Sequence, residues 1–244
     1  MKFNVHAGHN PDGKVACGAV GLIKESTQAR KVKNYVIKYL KAAGHTVYDC
    51  TCSNGISQSD VLKKIINKCN EHSVKLDISI HFNSGACDKY GNKKTTGTEV
   101  LIYSLASGSY TAAGNIAEQI SKLGLKNRGV KVRPDLAVLN STKADALLIE
   151  CCFVDDKDDV NCYNAKSMAQ AIVKGILASY TFKVKTTKKG VYLRTKAGSD
   201  VEKTSRLAKG TEVEISKVDI KKDIVYGYVK KYNKWISLVN THVL

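Results

Sequence analysis

The 244-residue sequence contains no run approaching the ~18 to 20 consecutive apolar residues that a membrane-spanning helix needs. Its first residues, Met1-Lys2-Phe3-Asn4-Val5-His6, lack the apolar core of a secretory signal. The expectation is a chain with no membrane partner that stays in the cytoplasm until something else releases it. The eight cysteines (Cys17, Cys50, Cys52, Cys69, Cys87, Cys151, Cys152 and Cys162) include no C-x-x-C pair, which excludes a cysteine-built zinc site and leaves most of them as reduced, buried small hydrophobes. Acidic residues are scarce: 22 against 39 Lys and Arg, for a net charge of +17, so the surface attracts polyanions. Aromatics make up only 7% and no nucleic-acid motif accompanies the basic excess, so nucleic acid is not the expected partner. There is no compact H-E-x-x-H, and any metal site must be assembled from distant segments. The acidic run Asp155-Asp156-Lys157-Asp158-Asp159 misses the alternating spacing of a calcium loop and reads as a solvated helix start.

What is present is an alternation of strand and helix patterns. Phe3–His6 reads as a short strand. From Glu25 the apolar positions Ala29, Val32, Val36, Tyr39, Leu40 and Ala43 recur at helical spacing up to a Gly44 stop. A strand at 46–48 precedes a helix marked by Val61, Leu62, Ile65, Ile66 and Cys69, capped by Ser57 or Ser59. Leu76-Asp77-Ile78-Ser79-Ile80-His81 alternates and ends in a histidine; Thr98–Tyr103 is a further strand, followed by a helix over Ala113–Leu123. Ala146-Leu147-Leu148-Ile149-Glu150 is a central-strand run ending in a carboxylate, and a helix through Met168–Leu177 closes the unit near Tyr180. The expected fold is α/β: a twisted, mostly parallel sheet flanked by helices over residues 1–180. Residues 181–189 read as a Lys- and Thr-rich linker. Residues 190–244 read as a small all-β barrel with strands at 191–194, 210–215, 226–229 and 234–236. The segment 183–244 holds 15 Lys and Arg against 6 acids, so it is the more basic part per residue.

Four ionisable residues stand where these elements end or begin: His9 in a Gly-containing turn, Glu25 opening the first helix, and His81 and Glu150 on strands. Open parallel sheets place ligands beyond their strand tips. Two imidazoles and a carboxylate suit a zinc site with an open fourth position, and a second carboxylate can then act as general base, the pattern of a metal hydrolase. His45, His72 and His242 read as solvated or capping residues.

In order, Gly8-His9, Gly18-Ala19-Val20-Gly21 with Glu25, Ser79-Ile80-His81-Phe82-Asn83, Gly97-Thr98-Glu99-Val100 and Leu147-Leu148-Ile149-Glu150 resemble the motifs of the zinc-dependent N-acetylmuramoyl-L-alanine amidases of the amidase-3 type. The resemblance implies His9, Glu25 and His81 as zinc ligands and Glu150 as catalytic acid/base, with Asn83 as a substrate-orienting residue. It implies hydrolysis of the amide between N-acetylmuramic acid and L-alanine in peptidoglycan. His6 departs from the family's Asp-Pro-Gly-His pattern and puts an extra imidazole near the metal. The short polar segment Ser84–Thr96 leaves no room for the blocking helix that some family members carry, which implies an open site. The last 55 residues resemble a bacterial Src-homology-3-like domain, with peptidoglycan and its anionic polymers as partners. The combination, without a signal, looks like a phage endolysin of a Gram-positive host. The alternatives are a bacterial autolysin or sporulation amidase of the same activity, a cysteine endopeptidase using Cys151 or Cys152, and a non-catalytic wall-binding protein. Oligomeric state is left open.

Overall fold

The computed structural model describes residues 1–244. The first unit runs β1 (Lys2–Ala7), α1 (Glu25–Ala42), β2 (Thr46–Asp49), α2 (Gln58–Asn70), β3 (Leu76–Asn83), β4 (Thr98–Ile102), α3 (Tyr110–Ser121), β5 (Asn127–Val132), α4 (Ala137–Asn140), β6 (Ala146–Phe153), α5 (Lys157–Cys162) and α6 (Ala165–Ala178). The second unit runs β7 (Phe182–Thr186), β8 (Val191–Arg194), β9 (Lys203–Leu207), β10 (Glu212–Ile215), β11 (Lys217–Lys221), β12 (Ile224–Val229), β13 (Lys234–Ser237) and β14 (Thr241–Val243).

The six-stranded sheet has the order β2-β1-β3-β6-β4-β5, and β1, β2, β3 and β6 are parallel. β4 runs antiparallel to β6 and parallel to β5, so the sheet is mixed at one edge. The expected α/β sheet with flanking helices is therefore present. Period-2 alternation sends Phe3, Val5 and Ala7 of β1, Leu76, Ile78, Ile80 and Phe82 of β3, and Leu147, Ile149 and Cys151 of β6 into the larger core with α1, α3 and α6. The opposite face carries Leu101, Ala146 and Leu148 against Val61, Ile65 and Cys69 of α2 and Val138 and Leu139 of α4. On that second face the alternation continues as His81 and Asn83 of β3, Glu99 of β4 and Glu150 of β6. The apolar cover gives way to ionisable residues along the same rows, and this opens the cleft.

Several expectations are corrected. β6 runs on to Phe153, past a register shift opposite β3, so Glu150 lies inside the strand. β5, with Gly129 and a half-exposed edge, has no apolar pattern and was not expected. The acids of 155–159 are not a solvated helix start: Asp156 and Asp159 are fully buried. Asp156 caps α5 and accepts from Thr96, Asp159 accepts from the Gly97 and Phe153 amides, and Asp155 accepts from the amides of Gly85, Ala86 and Cys87. Four adjacent acids on a short turn, Asp158 included, thus supply the acceptors that a non-helical loop over 84–97 needs for its backbone donors. Of the two candidate caps, Ser57 caps α2 by accepting from the Asp60 amide.

Residues 181–189 do not form a free tether, because 182–186 are strand β7, flanked by β10 and β14 in a three-stranded sheet. The pattern Phe182-Lys183-Val184-Lys185-Thr186 alternates buried and exposed, a strand signal masked by its lysines. The other sheet has the order β11-β12-β13-β8-β9. The two units share one continuous apolar core. His45, expected to be solvated, is 4% exposed and packs edge-on between Phe3 and Phe182, with ring centroids 5.5 and 4.7 Å away. At the rim Asp223 accepts from Tyr39 Oη at 2.7 Å and pairs with Lys38 and Lys166, and Asp219 pairs with Lys174.

Candidate active site

The turn after β1 brings the first histidine back over the sheet. Gly8 is buried directly against the His81 ring: an added Cβ would lie 1.8 Å from its Cε1. The Gly8 amide donates to the Ile80 carbonyl at 3.2 Å, so the turn is fastened to β3. Arg30 of α1 donates to the His9 carbonyl at 2.8 Å and to that of Cys52, and Asn10 bridges Val15 and Gly55. His9 is therefore held by its backbone and leaves its ring free to meet its neighbours.

Glu25 lies at the start of α1 and is 4% exposed. Its Oε1 lies 3.3 Å from His9 Nε2 and 3.0 Å from His81 Nδ1, and accepts from the Phe82 amide at 3.1 Å. Its Oε2 accepts from the Ala19 amide at 2.7 Å. Gly18 makes this approach possible: its φ is +81° and a Cβ there would stand 2.5 Å from Glu25 Oε2. Burial alone would raise the Glu25 pKa, but the hydrogen bonds and charges of His81 and His9 outweigh it and hold the carboxyl well below the usual range. The two imidazoles meet edge to face, with centroids 4.9 Å apart.

These three residues form a group whose ligand atoms all lie within 4.8 Å of one another. Zinc bonds to nitrogen and oxygen of about 2.0–2.2 Å in a tetrahedral shell separate neighbouring ligands by roughly 3.3 Å, close to the distances found here. The donor set and its spacing fit one metal ion with a position left open to the cleft.

Glu150 faces this trio across the sheet, in register with His81 on one side and Glu99 on the other. Its Oε2 is sealed from solvent and has no hydrogen-bond partner. Burial, with Glu25 and Glu99 nearby, pushes its pKa up to about 8, partly offset by Arg133. Asn83, expected to orient substrate, donates to Glu99 Oε1 at 3.0 Å, and Arg128 Nε donates to Glu99 Oε2 at 2.8 Å. Arg128 also lies over the Phe153 ring at 5.1 Å. Glu99, Arg128 and Arg133 were not expected as site residues from the sequence. The alternation of Thr98–Ile102 put Glu99 on a definite face, but which face was the cleft depended on pairing with β6.

His6 is not part of the grouped trio. It is buried on β1, 3.4 Å from Ser79 Oγ, and burial followed by the charge of His81 pushes its pKa down to about 3, so the ring is neutral. Cys151 and Cys152 are fully buried and burial raises both thiols well above their ordinary pKa, which makes them poor nucleophiles.

Residues 4–181 match the Amidase_3 family, described as N-acetylmuramoyl-L-alanine amidase. The chain belongs to this amidase family. It is 38% identical over 167 residues to an uncharacterised protein of Clostridium perfringens (strain 13 / Type A), covering 68% of this chain and 48% of that protein. The chain thus spans about half the length of that curated relative. It is 27% identical over 238 residues to the endolysin of Bacillus phage SPP1, covering 93% of this chain and 79% of the endolysin. Among solved structures, the catalytic domain of the CD27L endolysin targeting Clostridia difficile matches with a TM-score of 0.64 and 27% identity, over 72% of this chain and 97% of that domain. The endolysin resemblance thus extends into the second unit, whereas the amidase match ends at residue 181.

Proposed function

We propose that this amidase-family chain is a zinc-dependent peptidoglycan hydrolase that cleaves the amide between N-acetylmuramic acid and L-alanine. The carrying observation is the convergence of His9 Nε2, Glu25 Oε1 and His81 Nδ1 beside a carboxylate whose inner oxygen has no partner. His9, Glu25 and His81 hold the ion, and zinc bound there supplies Lewis acidity that lowers the pKa of water to about 7 and polarises a carbonyl.

Glu150 takes the proton of the attacking water on its carboxylate and delivers it to the leaving alanine nitrogen. Its buried setting raises its proton affinity towards the operating range, where a group can both accept and return a proton. Arg128 and Asn83 fix the Glu99 carboxyl beside Glu150, so Asn83 serves the substrate through this network. The Phe82 and Ala19 amides fix the Glu25 carboxylate and keep it from turning towards substrate.

Residues 1–180 form the catalytic unit. The all-β unit that follows is a Src-homology-3-like wall binder, consistent with its basic surface and two small sheets. The phage endolysin reading is supported by the SPP1 relative, which matches through both units. No helix is long and apolar enough to cross a membrane.

The test is digestion of purified peptidoglycan with end-group analysis. New L-alanine amino groups without new reducing sugars are expected; new reducing sugars alone would overturn the amidase reading.

A further inference from the structure

The outward face of the five-stranded sheet carries a row of two adjacent rings flanked by cations. Strand register sets Lys217 opposite Tyr228, Tyr228 opposite Trp235, Trp235 opposite Arg194, and Arg194 opposite Lys203. Directly opposed residues share a face, so these five side chains form one rung across all five strands, about 19 Å long at ~4.8 Å per strand. Tyr192, two residues from Arg194, adds a ring on the same face with Arg206 as its partner. The other face of this sheet is apolar and buried through Val191, Leu193, Val218, Val225, Val229 and Ile236.

Of the cations in the second unit only Lys185, Lys221 and Lys222 have a carboxylate partner, and Lys217, Arg194, Lys203 and Arg206 are among those with none. They gather on the rings instead. Lys217 Nζ lies 4.5 Å from the Tyr228 centroid and 5.7 Å from that of Trp235. Arg206, Lys203 and Arg194 surround Tyr192 at 4.4, 5.1 and 5.8 Å. Arg194 Nε is sealed from solvent without a hydrogen-bond partner. Four uncompensated positive charges beside three half-buried rings form a surface that lacks its anion.

We propose that this row binds a phosphodiester-linked glycopolymer of the bacterial wall, an inference that rests on the wall-lytic reading above. Ring faces accept the apolar C–H faces of sugars, and the unpaired cations meet the phosphates between them. A neutral peptide would leave all four charges uncompensated, and a single stem carboxylate would satisfy one end of a row this long. Phosphates repeating along a chain match the length of the row and the sign of its charge.

The test uses the full chain and walls purified from a Gram-positive bacterium, before and after hydrofluoric acid removes the phosphodiester polymer. Binding should weaken at least about tenfold on stripped walls, and on intact walls it should fall steeply as salt rises from about 50 to about 300 mM. The exposed double variant Lys217→Glu/Arg206→Glu should show the same loss on intact walls while digesting stripped peptidoglycan at the wild-type rate. Trp235→Ala tests the ring, with circular dichroism to verify folding. Equal binding to stripped and intact walls, or undiminished binding by the double variant, would overturn the proposal. Tighter binding to single-stranded RNA than to intact walls would overturn it in favour of a nucleic acid, which uses similar ring-and-cation chemistry. Because binding is read separately from alanine release, a chain that binds in this way without releasing alanine ends would sink the amidase reading and leave the row standing.

Discussion

Gly8→Ala probes the site through a single methyl group. The added Cβ would lie 1.8 Å from His81 Cε1, 1.9 Å from Nε2 and 2.7 Å from Nδ1. Carbon atoms at rest sit about 3.5–4.0 Å apart, so the ring must retreat by roughly 1.7 Å or more. The main chain cannot yield in its place without breaking the bond from the Gly8 amide to the Ile80 carbonyl. Zinc bonds tolerate only about 0.2 Å of error, so His81 would no longer serve as the proposed ligand. Changes one shell further out already lower metal affinity about 10- to 100-fold, and loss of a ligand should cost at least the upper figure, about 2.7 kcal/mol. Metal-free stability should change less. The His81–Glu25 contact at 3.0 Å contributes about 1.5–3 kcal/mol if charge-assisted, offset by ~0.4–1 kcal/mol from the stiffer unfolded chain. Competition with a chromogenic chelator, alongside a thermal melt, measures both. Zinc affinity within threefold of wild type in a normally folded variant would refute the packing argument.

Two further outcomes follow from buried titratable groups. Glu150→Gln should lower amide hydrolysis at least about 100-fold while zinc still binds. In the metal-free protein the wild-type Glu150 carboxyl, raised to about 8, contributes stability below its unfolded pKa that is lost as pH rises through 8. Melts between pH 5 and 8 should therefore show the variant gaining on wild type as pH rises; parallel curves would contradict the burial of this carboxyl. His45 behaves in the opposite sense. Burial depresses its folded pKa to about 3, so its contribution is present above about pH 6.5 and is lost as pH falls towards 3, at most about 1.4 kcal/mol per pH unit. His45→Leu should flatten the acid side of the stability profile measured by denaturant unfolding, and an unchanged slope would argue against a buried neutral ring between the units.

The readability of the site varied with the range of its contacts. His9, Glu25, His81 and Glu150 stood out because each ended or began a patterned element, and their order along the chain matched the amidase motifs. Glu99 occupied a visible strand and still went unassigned, because its role depends on the antiparallel pairing of β4 with β6. Arg128 sits on the edge strand β5, whose half-exposed Asn127–Val132 carries no apolar rhythm. The acids at 155–159 looked solvated because their partners are backbone amides of a loop some 60 to 70 residues earlier. His45 followed a helix-stopping glycine and seemed free, but the second unit covers it.

Local chemistry was therefore enough to set out the α/β alternation, the helix starting at Glu25 and the basic all-β tail, and it singled out four residues whose proposed roles came from the order of the amidase motifs. Periodicity and capping act over a few residues, and their marks survive in one dimension. The distances near 3 Å that join two imidazoles to one carboxylate, the elevated pKa of Glu150, the locking of β7 into the second unit and the row from Lys217 to Lys203 were decided only by the tertiary structure. Each depends on which strands pair, in what register, and on how much water their packing excludes, none of which is carried by neighbouring residues.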